Sequence, residues 1–255
     1  MELIDIHSHY AWDIDDGIAN LDDAKKALTK AKNQNIKRIV ATPHIIPGTT
    51  NDLNLIKQRI NDFIKLAKEY GIIGYCGSEV MLNDECLIGL QNDLIIPINN
   101  GPYVLVEFNL SRKINGDCLD YLYEYSLKHK LVIAHVERYF PNGIDLERVE
   151  EFIDSGYVIQ VNASSLLGVH GKTVKNNAYE LLNNGLVHII ATDTHRSTGH
   201  RIPCLQEVYQ LLSKKYDYQT LKTLMYDNPL HILENESVEA IEVNQSFFKK
   251  LFKRR

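Results

Sequence analysis

The chain gives cysteine chemistry little to work with. It has four cysteines in 255 residues, Cys76, Cys86, Cys118 and Cys204, in no C-x-x-C pair and no metal-finger spacing. They read as reduced, small apolar residues. Thiol-based phosphoester cleavage needs a cysteine six positions ahead of an arginine, with a loop of backbone amides between them. Here the residues six positions on are Leu82, Asn92, Glu124 and Gln210. There is no G-x-S-x-G elbow and no G-x-x-x-x-G-K-[ST] loop. No run approaches the roughly 20 apolar residues that span a bilayer. The start, Met1-Glu2-Leu3-Ile4-Asp5, is acidic and short, not a basic region ahead of a long apolar one. A cytoplasmic location is therefore expected. The net charge of -5 leaves no basic field, so nucleic acid is not an expected partner.

What is present is ordinary globular composition, 44% hydrophobic and 24% charged, enough for one large domain. Short β-branched runs alternate with helical patterns. The strands expected are Leu3–Ile6, Lys37–Ala41, Ile72–Cys76, Tyr103–Val106, Leu131–Ala134, Tyr157–Val161 and Val187–Ala191. Helical spacing covers Leu21–Asn33, Asp52–Tyr70, Cys118–His129, Leu146–Ser155, Thr173–Asn184, Arg201–Lys214 and Tyr218–Met225. Strand followed by helix, about seven times over, predicts a parallel α/β sheet closed into a barrel, with a doubly wound open sheet as the alternative. The expected domain is 1–233, and 234–255 is an acidic, then basic-aromatic, C-terminal tail.

Polar residues gather just past the predicted strands. His7, His9 and Asp16 follow the first, His44 the second, Glu79 the third and Glu107 the fourth. His135 follows the fifth, and Asp193 and His195 the seventh. One histidine at a strand end is more often a cap or a satisfied core group. His7-x-His9 is stronger evidence, because period-2 alternation points both rings to one face, and Asp193-x-His195 repeats that geometry. Unpaired imidazoles and carboxylates at the ends of apolar runs would be costly to bury. Shared metal ions explain all of them at once. Imidazole and carboxylate without thiolate suit Mn, Fe or Zn, and nine ligands suit a cluster of two or three divalent ions that activates water. His129, His170, His188, His200 and His231 read as loop, cap or exposed helix residues.

The segments Ile4-Asp5-Ile6-His7-Ser8-His9, Asp15-Asp16-Gly17 and Thr42-Pro43-His44 resemble the polymerase and histidinol phosphatase (PHP) superfamily. Tyr103–Phe108, Ile133–Tyr139 and Ala191–His195 narrow the resemblance to the bacterial manganese-dependent protein-tyrosine phosphatases of capsular and exopolysaccharide operons, from about Ile4 to Pro229. The resemblance implies a distorted seven-stranded (β/α) barrel and a trinuclear site. His7, His9, Glu79 and Asp193 would hold one ion, Glu79, Glu107 and His135 a second, and Asp16, His44 and His195 a third. It also implies that Arg138 and Arg201 bind phosphate. An arginine three residues past a ligand histidine is placed to grip phosphate oxygens, whereas Arg201 reads equally well as a helix-start charge. Many relatives carry basic residues after the second-strand histidine, where this chain has Ile45-Ile46-Pro47.

The function so implied is hydrolysis of phosphotyrosine on a protein, a membrane-associated tyrosine kinase of capsule synthesis, by metal-activated hydroxide. A small-molecule phosphatase such as histidinol phosphatase is the nearest alternative. A metal-dependent amidohydrolase or DNase is less favoured, because Glu79 and Glu107 sit on consecutive strands and no strand-end lysine is evident. A binding protein on the same scaffold would have lost ligands. Phe247, Phe248, Leu251 and Phe252, set among Lys249, Lys250, Lys253, Arg254 and Arg255, read either as a frayed end or as a weak contact with an anionic membrane surface.

Overall fold

The computed structural model describes residues 1–49, 52–110, 114 and 116–241. The tail residues 242–255, with the membrane contact expected of them, lie outside the described residues. Among the described residues no helix is long and apolar enough to cross a membrane.

Among the described residues nine strands are all paired in parallel: β1 Leu3–Asp5, β2 Ile36–Ala41, β3 His44–Ile45, β4 Ile73–Cys76, β5 Glu79–Leu82, β6 Tyr103–Phe108, β7 Lys130–Ile133, β8 Val158–Asn162 and β9 Ile189–Ala191. They form a three-stranded sheet, β1-β2-β4, and a six-stranded sheet, β3-β5-β6-β7-β8-β9. The strands expected at Lys37–Ala41 and Ile72–Cys76 are present as β2 and β4, and each is followed after a short break by a further strand, β3 and β5. Pro43, which has no N–H to donate, interrupts β2 from β3, and Gly77-Ser78 separates β4 from β5. Past β1 the chain meets the other sheet, where Asp193 N–H donates to His7 O at 2.9 Å and His9 N–H to Thr194 O at 2.9 Å. The protein is thus an α/β fold with parallel sheets.

The described residues also form ten α-helices: α1 Leu21–Asn33, α2 Leu53–Glu69, α3 Cys86–Gln91, α4 Gly116–Ser126, α5 Leu146–Asp154, α6 Ala163–Leu167, α7 Lys172–Asn183, α8 Leu205–Leu212, α9 Tyr218–Lys222 and α10 Asn228–Leu233. Their starts follow local chemistry. Asn20, Asp52, Asp145 and Asp217 each accept a first-turn backbone N–H. Helix α1 buries Ala24, Ala27, Leu28 and Ala31, a three-four spacing that lays one face on the sheet. Helix α8 starts at Leu205, not at Arg201, because Arg201 adopts φ of +55° and Pro203 restricts the residue before it.

Alternation along the strands builds two cores. Ile4, Val40, Leu105, Val132, Val158, Ile189 and Ala191 share an inner cluster fed by both sheets. Their neighbours Leu3, Ile39, Val104, Leu131, Ile159 and Ile190 pack outward in the larger cluster with the helices. With both faces covered, the strands read as unbroken apolar runs.

His188 lies one residue short of β9, although the strand expected there, Val187–Ala191, included it. Its Nδ1 accepts the Ile159 N–H at 3.0 Å, in place of a ladder carbonyl. Burial pushes the ring down from 6.5 to about 4. A folded value below the unfolded one means stability present above about pH 6.5 and lost as pH falls toward 4. At pH 5 the loss should reach about 2 kcal/mol. His188→Asn keeps an acceptor but cannot titrate. Denaturant unfolding of both proteins at pH 7.5 and 5 should therefore show a steeper acid loss in the wild type, and equal losses would remove His188 as the cause.

Candidate metal centre

All nine residues singled out in the sequence meet beyond one end of the sheets. The inner-face alternation brings some of them there directly, with Leu105 followed by Glu107, and Ile189 and Ala191 by Asp193. Three sets of side-chain atoms lie within 4.8 Å of one another: His7, His9, Glu79 and Asp193; His9, Asp16, His44 and His195; and His44, Glu79 and Glu107. His135 joins the last set, its Nε2 3.0 Å from Glu79 and 3.6 Å from Glu107. Glu79 is central, with one oxygen 3.1 Å from His7, 3.2 Å from His9 and 3.2 Å from His44. It opens β5 instead of ending a strand, because the break at Gly77-Ser78 turns it inward.

The side chains of His7, His9, Glu79, Asp193 and His195 are fully buried, and those of Glu107 and His135 nearly so. Burial alone would neutralise such groups. Instead it is overcome on both sides. Burial lowers His7, but Glu79 and Asp193 raise it to about 9. Burial raises Glu79, but His7 and His44 hold it well below the carboxylate range. His9 shifts the other way: burial and the rings of His195 and His44 lower it. Four carboxylates thus demand positive charge from their surroundings.

The residues fit divalent ions on a second ground. His7 Nε2, His9 Nε2, His44 Nδ1, Glu79 Oε2, Glu107 Oε1, His135 Nδ1 and His195 Nε2 are buried without a hydrogen-bond partner. His135 faces Glu79 through Nε2, so its Nδ1 points away, but the other six orphaned atoms in one place would be a heavy penalty without a cation to receive their lone pairs. The opposite nitrogens are tied down. His9 Nδ1 lies 2.7 Å from Asp15 Oδ2, and His195 Nδ1 lies 3.0 Å from the Asp193 carbonyl. The Asp15 carboxylate also accepts from Gly17 N–H at 2.8 Å and His44 N–H at 3.0 Å. A Cβ on Gly17 would stand 2.4 Å from His9 Cβ, so the Asp15-Asp16-Gly17 turn requires glycine.

Arg201 donates to Asp193 Oδ1 at 2.8 Å, and Arg138 lies 3.4 Å from Asp193 Oδ2. Both line a cavity of about 490 Å³ with His44, Glu107 and His135 at its floor and Ile14, Ile46, Met81 and Leu110 around it. His135, Asp193 and Arg201 all hold positive φ, at 35°, 54° and 55°. Such strain outside glycine, about 1–3 kcal/mol each, gathers at functional sites.

Sequence reasoning passed over three residues at the centre. Asp15 was read only as part of a turn. Gln160 and Asn162 sit on β8, whose end contributes none of the nine, yet Gln160 Oε1 lies 3.0 Å from His7 Nδ1 and Asn162 Nδ2 2.8 Å from Asp193 Oδ2. Two amides inside an apolar strand were the available signal.

A parallel α/β scaffold with five imidazoles and four carboxylates converging at one end is the architecture of a metal-dependent hydrolase. The chain belongs to the capsular polysaccharide synthesis CpsB/CapC family, whose model matches residues 3–234. It is 30% identical over 252 residues to a putative tyrosine-protein phosphatase, CapC, of Staphylococcus aureus, covering 97% of this chain and 98% of that one. It is 31% identical over 248 residues to the tyrosine-protein phosphatase CpsB of Streptococcus pneumoniae, covering 92% and 100%. Its fold matches a chain from the crystal structures of YwqE from Bacillus subtilis and CpsB from Streptococcus pneumoniae, metal-dependent tyrosine phosphatases. That match has a TM-score of 0.83 at 24% identity, over 94% and 97% of the two chains. The histidinol phosphate phosphatase of Lactococcus lactis, complexed with zinc, L-histidinol and phosphate, matches with a TM-score of 0.54 at 15% identity, over 84% and 93%.

Proposed function

We propose that this protein hydrolyses phosphotyrosine on a protein, with a tyrosine kinase of capsule or exopolysaccharide synthesis as its substrate. The observation that carries the reading is the convergence of six orphaned ligand atoms beside a cavity that His44, Glu107 and His135 line together with two arginines and the apolar Ile14, Ile46, Met81 and Leu110. His7, His9, Glu79 and Asp193 would hold one ion, Glu79, Glu107 and His135 a second, and Asp16, His44 and His195 a third. Mn is the favoured metal. When bound, the ions supply an activated water and Lewis-acid stabilisation of phosphoryl oxygens.

The chain's own residues do the rest. The Arg138 and Arg201 guanidiniums, already turned toward Asp193, offer forked donors to phosphate oxygens. Ile14, Ile46, Met81 and Leu110 give the ring of a phosphotyrosine an apolar wall, which a phosphoserine could not use. The tyrosyl oxygen, with a parent pKa of about 10, leaves more readily than an alkoxide. We further infer that the two sheets are one distorted seven-stranded barrel, with β2–β3 and β4–β5 each a single interrupted strand. Residues 1–233 form its domain, and the enzyme works in the cytoplasm, with the basic-aromatic tail touching the inner membrane face.

The test is phosphate release from phosphotyrosine peptide, phosphoserine peptide and histidinol phosphate with Mn²⁺ present. The reading expects kcat/KM for phosphotyrosine peptide to exceed both others by about 100-fold, the discrimination expected of an apolar pocket for a large side chain. Preference for histidinol phosphate would replace it with a small-molecule phosphatase. Ile46→Lys should reduce kcat/KM on phosphotyrosine peptides with apolar flanks while leaving ion content unchanged, as measured by elemental analysis.

A further inference from the structure

In strand β8 the last two inward positions are polar. Val158 is inward and apolar, whereas Gln160 and Asn162, the next two in the same alternation, are fully buried amides. Neither stands among the nine candidate ligands. Each of their polar groups is spoken for: His135 N–H donates to Gln160 Oε1 at 2.9 Å, Gln160 Nε2 donates to Asn162 Oδ1 at 2.8 Å, and Asn162 Nδ2 donates to Asp193 Oδ2 at 2.8 Å.

The direction of this chain is fixed at both ends. A backbone N–H can only donate, so the Gln160 atom facing His135 must be its carbonyl oxygen. An ionised carboxylate can only accept, so the Asn162 atom facing Asp193 must be its NH₂. No amide can be flipped without setting two donors or two acceptors against each other. The same Gln160 oxygen lies 3.0 Å from His7 Nδ1, and as an acceptor it requires a proton there. In the neutral ring that an ion would require, this leaves the Nε2 lone pair of His7 free, and Nε2 is the atom aimed at Glu79 and Asp193 without a hydrogen bond.

We propose that Gln160 and Asn162 are positioning residues of the metal centre. Gln160 selects the tautomer of His7 and pins the left-handed backbone of His135, while Asn162 holds the outer oxygen of Asp193 so that the inner one faces the ion. The strand that gives no ligand thereby orients ligands from three others. The inference rests on the metal reading of the site and concerns this chain's own side chains.

The experiment measures Mn²⁺ affinity of the full chain by chelator competition and ions per chain by elemental analysis. It compares wild type, Gln160→Met, Gln160→Asn and Gln160→Glu, with circular dichroism to check folding. Methionine keeps the length and removes the acceptor. Asparagine keeps the amide but is one methylene too short to reach His7, which covers a failure of the methionine variant to fold. Both should weaken Mn²⁺ binding by about 10–100-fold. Glutamate retains an acceptor oxygen for His7 and His135 but loses the donor to Asn162, so it should restore part of the affinity. A purely structural role would not be rescued in this way. Wild-type affinity in the methionine and asparagine variants, or equal weakening in all three, would overturn the proposal while leaving the metal reading intact. A wild type that binds no Mn²⁺ would overturn both.

Discussion

Glu79→Gln is expected to leave at most one ion per chain and to lower kcat by about 10³-fold or more. Its carboxylate belongs to two of the three sets, with His7, His9, His44 and His135 within 3.0–3.2 Å of its two oxygens. An amide there keeps the shape but removes the charge that balances these imidazoles, and its NH₂ cannot serve as a ligand. Metal catalysis supplies several kcal/mol of transition-state stabilisation, and 4 kcal/mol is about a factor of 10³. Packing should hardly change, so the fold should survive by circular dichroism. Elemental analysis beside steady-state rates checks this. A variant with two or three ions and normal turnover would remove Glu79 from the centre of the account.

The second large effect concerns the arginines. Arg138→Ala and Arg201→Ala should each lower kcat/KM by about 10²–10³-fold, the range seen when one donor to developing charge is removed. Ion content should stay at the wild-type value, which separates these variants from ligand losses. Arg201→Lys should recover only part of the loss, because an ammonium cannot reproduce the forked contact. Arg201 is also the residue whose role the structure changes most. As a helix-start charge it would sit at the mouth of α8. Instead its backbone lies in the left-handed region four residues before that helix, its carbonyl accepts from His195 N–H at 2.8 Å, and its side chain reaches Asp193. Normal kinetics in Arg201→Ala would return it to a structural part.

These expectations draw on what the sequence could and could not reveal. His-x-His and Asp-x-His, each at the end of an apolar run, were legible because period-2 alternation and the cost of burial are local rules. The breaks at Pro43 and Gly77-Ser78 were less legible, since β3 and β5 are held by pairing with strands distant in sequence. Glu79 was therefore placed at the end of a strand when it begins one. His188 looked like part of a strand because its ring stands in for a ladder partner. Gln160 and Asn162 drew no notice in the sequence because their partners, His7 and Asp193, lie 153 and 31 residues away. Asp15 was hidden by its neighbour: of two adjacent carboxylates, only the fold shows that Asp16 faces His44 and His195 while Asp15 stands behind His9.

The apolar collar also bears on substrate choice. Ile46 joins Ile14, Met81 and Leu110 in lining the cavity. Phosphopeptides with apolar flanks should therefore outperform acidic ones, a difference that a panel of peptides would show directly.

The most direct measurement is a titration of metal-stripped protein with Mn²⁺ while phosphate release from a phosphotyrosine peptide is followed. The account predicts negligible turnover without metal and a rate that climbs to a plateau at two or three ions per chain. Undiminished turnover by the stripped protein, or saturation without any gain in rate, would contradict it.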